Sequence, residues 1–137
     1  HIWVRVFSVY GSNDNEGTLL SSFVEKCKSN EYMALTPCTQ IWDFLHELDA
    51  GSALFLLGDK GVSGEIYCLG SGEGRPLSEY LTSAKRIINN SYELHFGEIA
   101  FSPHQVMHLC ADNSKLKADT GWFNRIDFAS GIRMMTK

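Results

Sequence analysis

No C-x-x-C pair occurs among the four cysteines, Cys27, Cys38, Cys68 and Cys110, so the sequence offers neither a redox dithiol nor a zinc-ribbon spacing. Three of the four lie inside apolar stretches, which makes buried, reduced thiols the expectation and a disulfide framework the lesser one. Unpaired thiols fit a cytoplasmic protein. No apolar run approaches the length of a membrane span, so a membrane role is not expected. Positive charge is also short. A net charge of -4 leaves no basic footprint for nucleic acid. Proline is scarce, with three residues. Pro37 bars a continuous ladder where it stands, and Pro76 suits the first turn of a helix. Repeats, low-complexity tracts and linkers are missing, and 137 residues suffice for one domain with one core.

What is present alternates between two periods. Ile2 to Val9 reads as a buried strand rich in β-branched and aromatic residues, stopped by the turn formers Gly11 to Asn15. Leu19, Leu20, Phe23, Val24 and Cys27 then mark one face of a helix that stops near Ser29-Asn30. Tyr32 to Leu35 reads as a short strand. Trp42, Phe44 and Leu48 follow a two-residue rhythm, and Ala50, Ala53, Leu54 and Leu57 a helical one. Asp49 falls at the switch and is expected to cap that helix, which should close at Gly58. Glu65 to Leu69 is a further strand. Leu77, Leu81, Ala84 and Ile88 give the next helix its stripe, and Tyr92–Phe96 and Val106–Cys110 look extended. A short helix from Asp112-Asn113-Ser114 to about Ala118 and a last one over Phe128–Met135, capped by Asp127, complete the chain. Strands alternating with helices predict an α/β arrangement, or α+β for an isolated piece.

Three stretches imitate known chemistry. Gly58, Gly61 and Gly64 have a dinucleotide-loop spacing, but a helix precedes them and a strand follows, the reverse of what the pyrophosphate needs. Gly70, Gly72 and Gly74 stand in the right order with the last glycine one place early, so a tight strand-to-helix turn is expected, with Arg75 free to touch an anion. His104 and His108 share the H-x-x-x-H spacing of a zinc helix, yet Gln105 cannot serve as a base and the context is extended, so no metal is expected.

The wording of several stretches says more than their periodicity. Gln40-Ile41-Trp42-Asp43-Phe44-Leu45-His46, continuing to Asp49-Ala50, resembles a motif in the second half of the NAD-dependent sugar-nucleotide epimerases and dehydratases, the extended short-chain dehydrogenase/reductase family. Arg5 to Gly11 resembles that family's "R-x-x-N/S-V-Y-G" strand, Glu65 to Gly72 its "E-x-Y-N-L-G-S-G", Ala111 to Leu116 with Gly121-Trp122 its "A-D-x-S-K-L…G-W", and Phe128 to Gly131 its closing "F-x-x-G". The resemblance covers nearly the whole chain and implies the last strands of a Rossmann-type sheet plus the small substrate-binding domain. Residues 1–137 would then be a single carboxy-terminal fragment, inactive alone. The glycine-rich loop and the catalytic tyrosine–lysine pair would lie upstream. Indeed none of the five tyrosines has a lysine four residues later.

In such a fragment the resemblance implies substrate contacts at Ser8, Thr18, Leu19, Leu35, Trp42, Ser102 and Gln105, and nicotinamide contacts at Phe7 and Val9, with no catalytic or metal-binding residue. The implied partners are a nucleotide sugar and NAD or NADP, the latter bound mainly by the missing half. A homodimer, and self-association through an uncovered strand edge, are compatible with it. Trp42 and Ser102 stand where the family commonly carries diphosphate-holding arginines. Without a guanidinium the bidentate, charge-assisted bonds are lost, leaving Arg75 or Arg86 as substitutes and Trp42 as either a core residue or a stacking surface. The alternative is a non-catalytic binding or regulatory module of the same fold.

Overall fold

A computed structural model describes residues 1–137. The element order is β1 (Trp3–Val6), β2 (Ser8–Tyr10), α1 (Leu19–Ser29), β3 (Ile41–Trp42), β4 (Phe44–His46), α2 (Glu47–Lys60), β5 (Ile66–Leu69), β6 (Arg75–Pro76), α3 (Leu77–Ile88), α4 (Ser114–Thr120) and α5 (Phe128–Met135). β1 pairs with β5 and β2 with β4, both parallel, while β3 and β6 are antiparallel. The class is mixed α/β, as the alternation predicts. No helix is long and apolar enough to cross a membrane.

The first strand divides at Phe7, because its two halves have different partners. Trp3 to Val6 runs beside Ile66 to Leu69, whereas Ser8 to Tyr10 runs beside Phe44 to His46. Burial follows the same division. Tyr10 is 2% exposed, but Trp3 is 65% and Val6 54% exposed, so the expected buried strand is buried only at its far end. β1 has one strand neighbour and an open edge on the other side.

The expectation of one core gives way to two clusters, and the β2–β4 pair divides them. One gathers α1, α3 and α5 through Leu20, Phe23, Leu77, Leu81 and Ile132; the other gathers α2, β5 and α4 through Ala53, Leu57, Tyr67 and Leu116. Successive strand side chains point to opposite faces. Tyr10 and Phe44 accordingly pack with the first cluster, Val9 and Leu45 with the second.

Local signals at the helix ends decide which boundaries hold. Thr18 caps α1 by accepting from the Ser21 amide at 3.3 Å, Asn30 closes it in the left-handed region, and Asp127 caps α5 through the Ser130 amide at 2.7 Å. Asp49 does not cap α2. The cap is His46, whose Nδ1 accepts from the Leu48 amide at 3.2 Å. Asp49 lies in the first turn, where its buried carboxylate accepts from the amides of Arg125 and Ile126. α2 also runs past Gly58 to Lys60. The strands expected at Tyr32–Leu35, Tyr92–Phe96 and Val106–Cys110 shrink to single bridges, Ala34 with His95 and Ile41 with His108. After Ala34 the chain meets Pro37, which has no amide to donate, and Cys38, whose φ of 55° leaves the extended region. All four cysteines are free; Cys27 and Cys38 are buried, Cys68 and Cys110 half-buried.

Candidate functional site

The split at Phe7 and the start of α1 leave a cavity of about 380 Å³ between β2, β3 and the amino end of α1. Of the nine residues that the resemblance marks, seven line it: Phe7, Ser8, Val9, Thr18, Leu19, Trp42 and Gln105. Leu35 and Ser102 do not. Leu35 is 3% exposed in the first core cluster, its amide donating to His95 and its carbonyl accepting from Glu98 and Ile99. Ser102 is exposed, its hydroxyl accepting from the His104 amide at 3.3 Å.

The cavity is also lined by residues to which the resemblance assigns no contact, among them Tyr10, Asp14 and Gln40. Gln40 is the one with a visible signature. It is 5% exposed, its main-chain oxygen accepts from the Leu77 amide, and its side-chain oxygen has no protein partner. Thr18 joins two roles, capping α1 and donating its hydroxyl proton to Asp14 at 3.0 Å. On the opposite wall the Trp42 indole N–H donates to the Ser8 hydroxyl oxygen at 2.7 Å.

The wall carries one ionisable carboxylate, Asp14, and no lysine or arginine. Arg75 lies elsewhere, paired with Glu73 at 3.3 Å and placed over the Tyr80 ring. With Arg86 and the hydroxyl-bearing Ser78, Thr82 and Ser83 it borders a separate depression along α3. Neither arginine substitutes for a cation in the cavity. Burial, then the nearby Asp127 and Asp49 charges, pushes the Tyr10 phenol above its ordinary value, and burial pushes Tyr80 up to about 12. Both phenols therefore hold their protons at neutral pH and are unsuited to act as bases.

The glycine stretches resolve in structural terms. Gly58 lies within α2, so a helix precedes that loop and β5 follows it. At Gly70–Gly74 the turn amides are engaged by the protein itself. The fully buried Asp43 accepts from the Ser71 amide and hydroxyl at 2.7 and 2.6 Å, from Gly72 at 3.0 Å and from Ala111 at 2.9 Å. A carboxylate already occupies the place a phosphate would take. A Cβ at Gly70 would stand 2.8 Å from that carboxylate and 2.6 Å from the Ala111 side chain, which explains the glycine there.

The profile described as the NAD dependent epimerase/dehydratase family matches residues 1–70. The CDP-abequose synthase of Salmonella muenchen is 26% identical over 134 residues, covering 96% of this chain and 45% of that protein. A UDP-glucuronic acid 4-epimerase from Bacillus cereus, in complex with UDP-glucuronic acid and NAD, superposes with a TM-score of 0.85 at 16% identity, covering 97% of this chain and 43% of that one. A UDP-glucose 4-epimerase from Thermotoga maritima, with UDP-glucose, superposes with a TM-score of 0.83 at 20% identity, covering 98% and 44%. These structures share the fold, and the chain spans less than half the length of the relatives it matches. The matched profile takes in just over half of the chain, including β1, β2, Asp43 and β4, and on that footing the chain belongs to the NAD-dependent epimerase/dehydratase family.

Proposed function

We propose that this chain is the carboxy-terminal, substrate-binding portion of an NAD- or NADP-dependent nucleotide-sugar epimerase or dehydratase of the cytoplasm, inactive on its own. The observation that carries the reading is the gathering of Phe7, Ser8, Val9, Thr18, Leu19, Trp42 and Gln105 around one cavity, from four separate stretches of chain. Ser8, Thr18, Leu19, Trp42 and Gln105 bind the nucleotide sugar and orient it, a contribution that turns an encounter into a positioned reaction. Phe7 and Val9 supply an apolar edge beside the nicotinamide.

The rest of a dinucleotide finds no fit here. The Gly70–Gly74 amides are committed to Asp43, and the Gly58–Gly64 loop runs from helix to strand. NAD(P) supplies hydride transfer when bound, and its pyrophosphate site together with the proton-transferring groups belongs to a segment preceding β1. That segment also covers the exposed side of β1, where Trp3 and Val6 face solvent.

Calorimetric titration with UDP-glucose, dTDP-glucose and CDP-glucose tests the reading. At least one is expected to bind, and Ser8→Ala is expected to weaken that binding. A second reading, a binding module that has lost catalysis, is favoured by the lack of lysine and arginine in the cavity wall. The intact mass of the protein from its native source separates the two: near twice 15.3 kDa for the enzyme, 15.3 kDa for the module.

A further inference from the structure

We propose that Trp42 is a positioning residue that acts through Ser8, fixing the Ser8 hydroxyl as a hydrogen-bond donor toward an acceptor oxygen of the bound ligand. The inference rests on the nucleotide-sugar reading above and names how the cavity wall recognises that ligand without a cation.

A serine hydroxyl has one proton and two lone pairs, and it turns freely to present either. In this structure the Trp42 indole N–H, which can only donate, takes one lone pair of Ser8 at 2.7 Å. The Ser8 proton goes to no protein acceptor, and both side chains are half-buried at the wall of the cavity. Directed this way, Ser8 offers its proton outward. The bond also removes a rotational freedom that a lone serine loses only when ligand arrives, so the donor is set before binding. The main-chain frame is fixed on both sides, since Ser8 pairs with Phe44 in the β2–β4 ladder and Trp42 pairs with Arg75 in the β3–β6 ladder.

The chemistry of the rest of the wall gives the pair its weight. Asp14 repels an anion, and no lysine or arginine attracts one. Gln105 spends an amide N–H on the Val106 carbonyl at 2.9 Å. Neutral donors are what this wall has to offer an acceptor oxygen, and the Trp42–Ser8 pair supplies one that is oriented in advance. The acceptor is an oxygen of the diphosphate or of the base.

The test is a double-mutant cycle on the full-length protein, with UDP, dTDP and CDP as probes beside uridine, thymidine and cytidine. Ser8→Ala should weaken the best-bound nucleotide roughly ten-fold, and Trp42→Phe, which keeps a ring but not the donor, roughly three- to ten-fold. In the Ser8→Ala background Trp42→Phe should then change affinity less than about two-fold, because one residue acts through the other. A loss seen with the diphosphates and not the nucleosides assigns the acceptor to phosphate; an equal loss with both assigns it to the base. Multiplying effects, or wild-type affinity in Trp42→Phe, would overturn the role of Trp42 while leaving the nucleotide reading in place. Failure of the unaltered protein to bind any of the six probes overturns both. The Trp42 indole proton gives a reading that needs no tryptophan substitution. Its resonance should move in Ser8→Ala and not in Ser12→Ala, and an unmoved resonance would count against the bond.

Discussion

The Asp43 carboxylate collects three main-chain amides and one hydroxyl, and through them ties β4 to the turn after β5 and to the segment that leads into α4. Removing it leaves several buried donors without an acceptor, each a desolvation penalty of its own. Asp43→Ala should therefore cost about 3 kcal/mol or more, measured by urea denaturation. A loss below about 1 kcal/mol would show that water reaches the turn. Asp127 acts at the surface and is tied to pH. The Ser130 amide and hydroxyl at the start of α5 hold its carboxyl below the ordinary aspartate value. Because the folded state depresses that pKa, the stabilising effect is complete above the unfolded value, about 3.9, and is lost as pH falls through the folded one. An asparagine caps comparably but does not titrate in this range. Comparing Asp127→Asn with the unaltered protein from pH 6 down to pH 3 should therefore show the unaltered protein losing stability relative to the variant only on the acid side. Parallel curves throughout would refute the assignment.

At the level of elements, α5 is pressed against the β2–β4 pair so closely that a Cβ at Gly131 would collide with the Tyr10 hydroxyl. Two effects compete there. Alanine is favoured over glycine within a helix by up to about 1 kcal/mol, but overpacking a tight contact costs about 1–3 kcal/mol. Packing is expected to win, so Gly131→Ala should lower stability, and a raised melting temperature would show that α5 has room to shift. Which elements were legible in the sequence follows from how local their causes are. α1 and α5 carry a capping side chain at one end and an apolar face between, all within a dozen residues, and both form where the sequence places them. Asp49 suggests a cap for α2 because aspartate caps well by type, but its actual partners, Arg125 and Ile126, lie more than seventy residues away. Separations of more than sixty residues likewise hide the Ala34–His95 and Ile41–His108 bridges, where apolar alternation suggests strands and only one pairing forms. The cavity was legible in part, through family wording at Ser8, Thr18 and Trp42. Gln40 belongs to the same wording, but its place in the cavity was not legible, because a buried amide oxygen without a partner leaves no trace in composition or period.

For the molecule as a whole, the open side of β1 is the feature with the largest consequence. Trp3, Val6 and Ile66 are each more than 40% exposed around a strand with one neighbour. Unpaired amides and carbonyls beside apolar side chains invite pairing with another strand. Light scattering of the 137-residue chain should show association that rises with concentration and falls on Trp3→Lys combined with Val6→Lys. A single monomer at high concentration would contradict it. A larger groove, of about 630 Å³ and bordered by Leu48, Phe55, Trp122 and Phe123, contains none of the residues that the resemblance marks. Amide and indole resonances followed during titration with UDP-glucose, dTDP-glucose and CDP-glucose compare the two places directly. Shifts centred on Phe7, Ser8, Thr18, Leu19 and the Trp42 indole are expected. Shifts confined to Leu48, Phe55 and Phe123, or none with any of the three, would contradict the nucleotide-sugar reading.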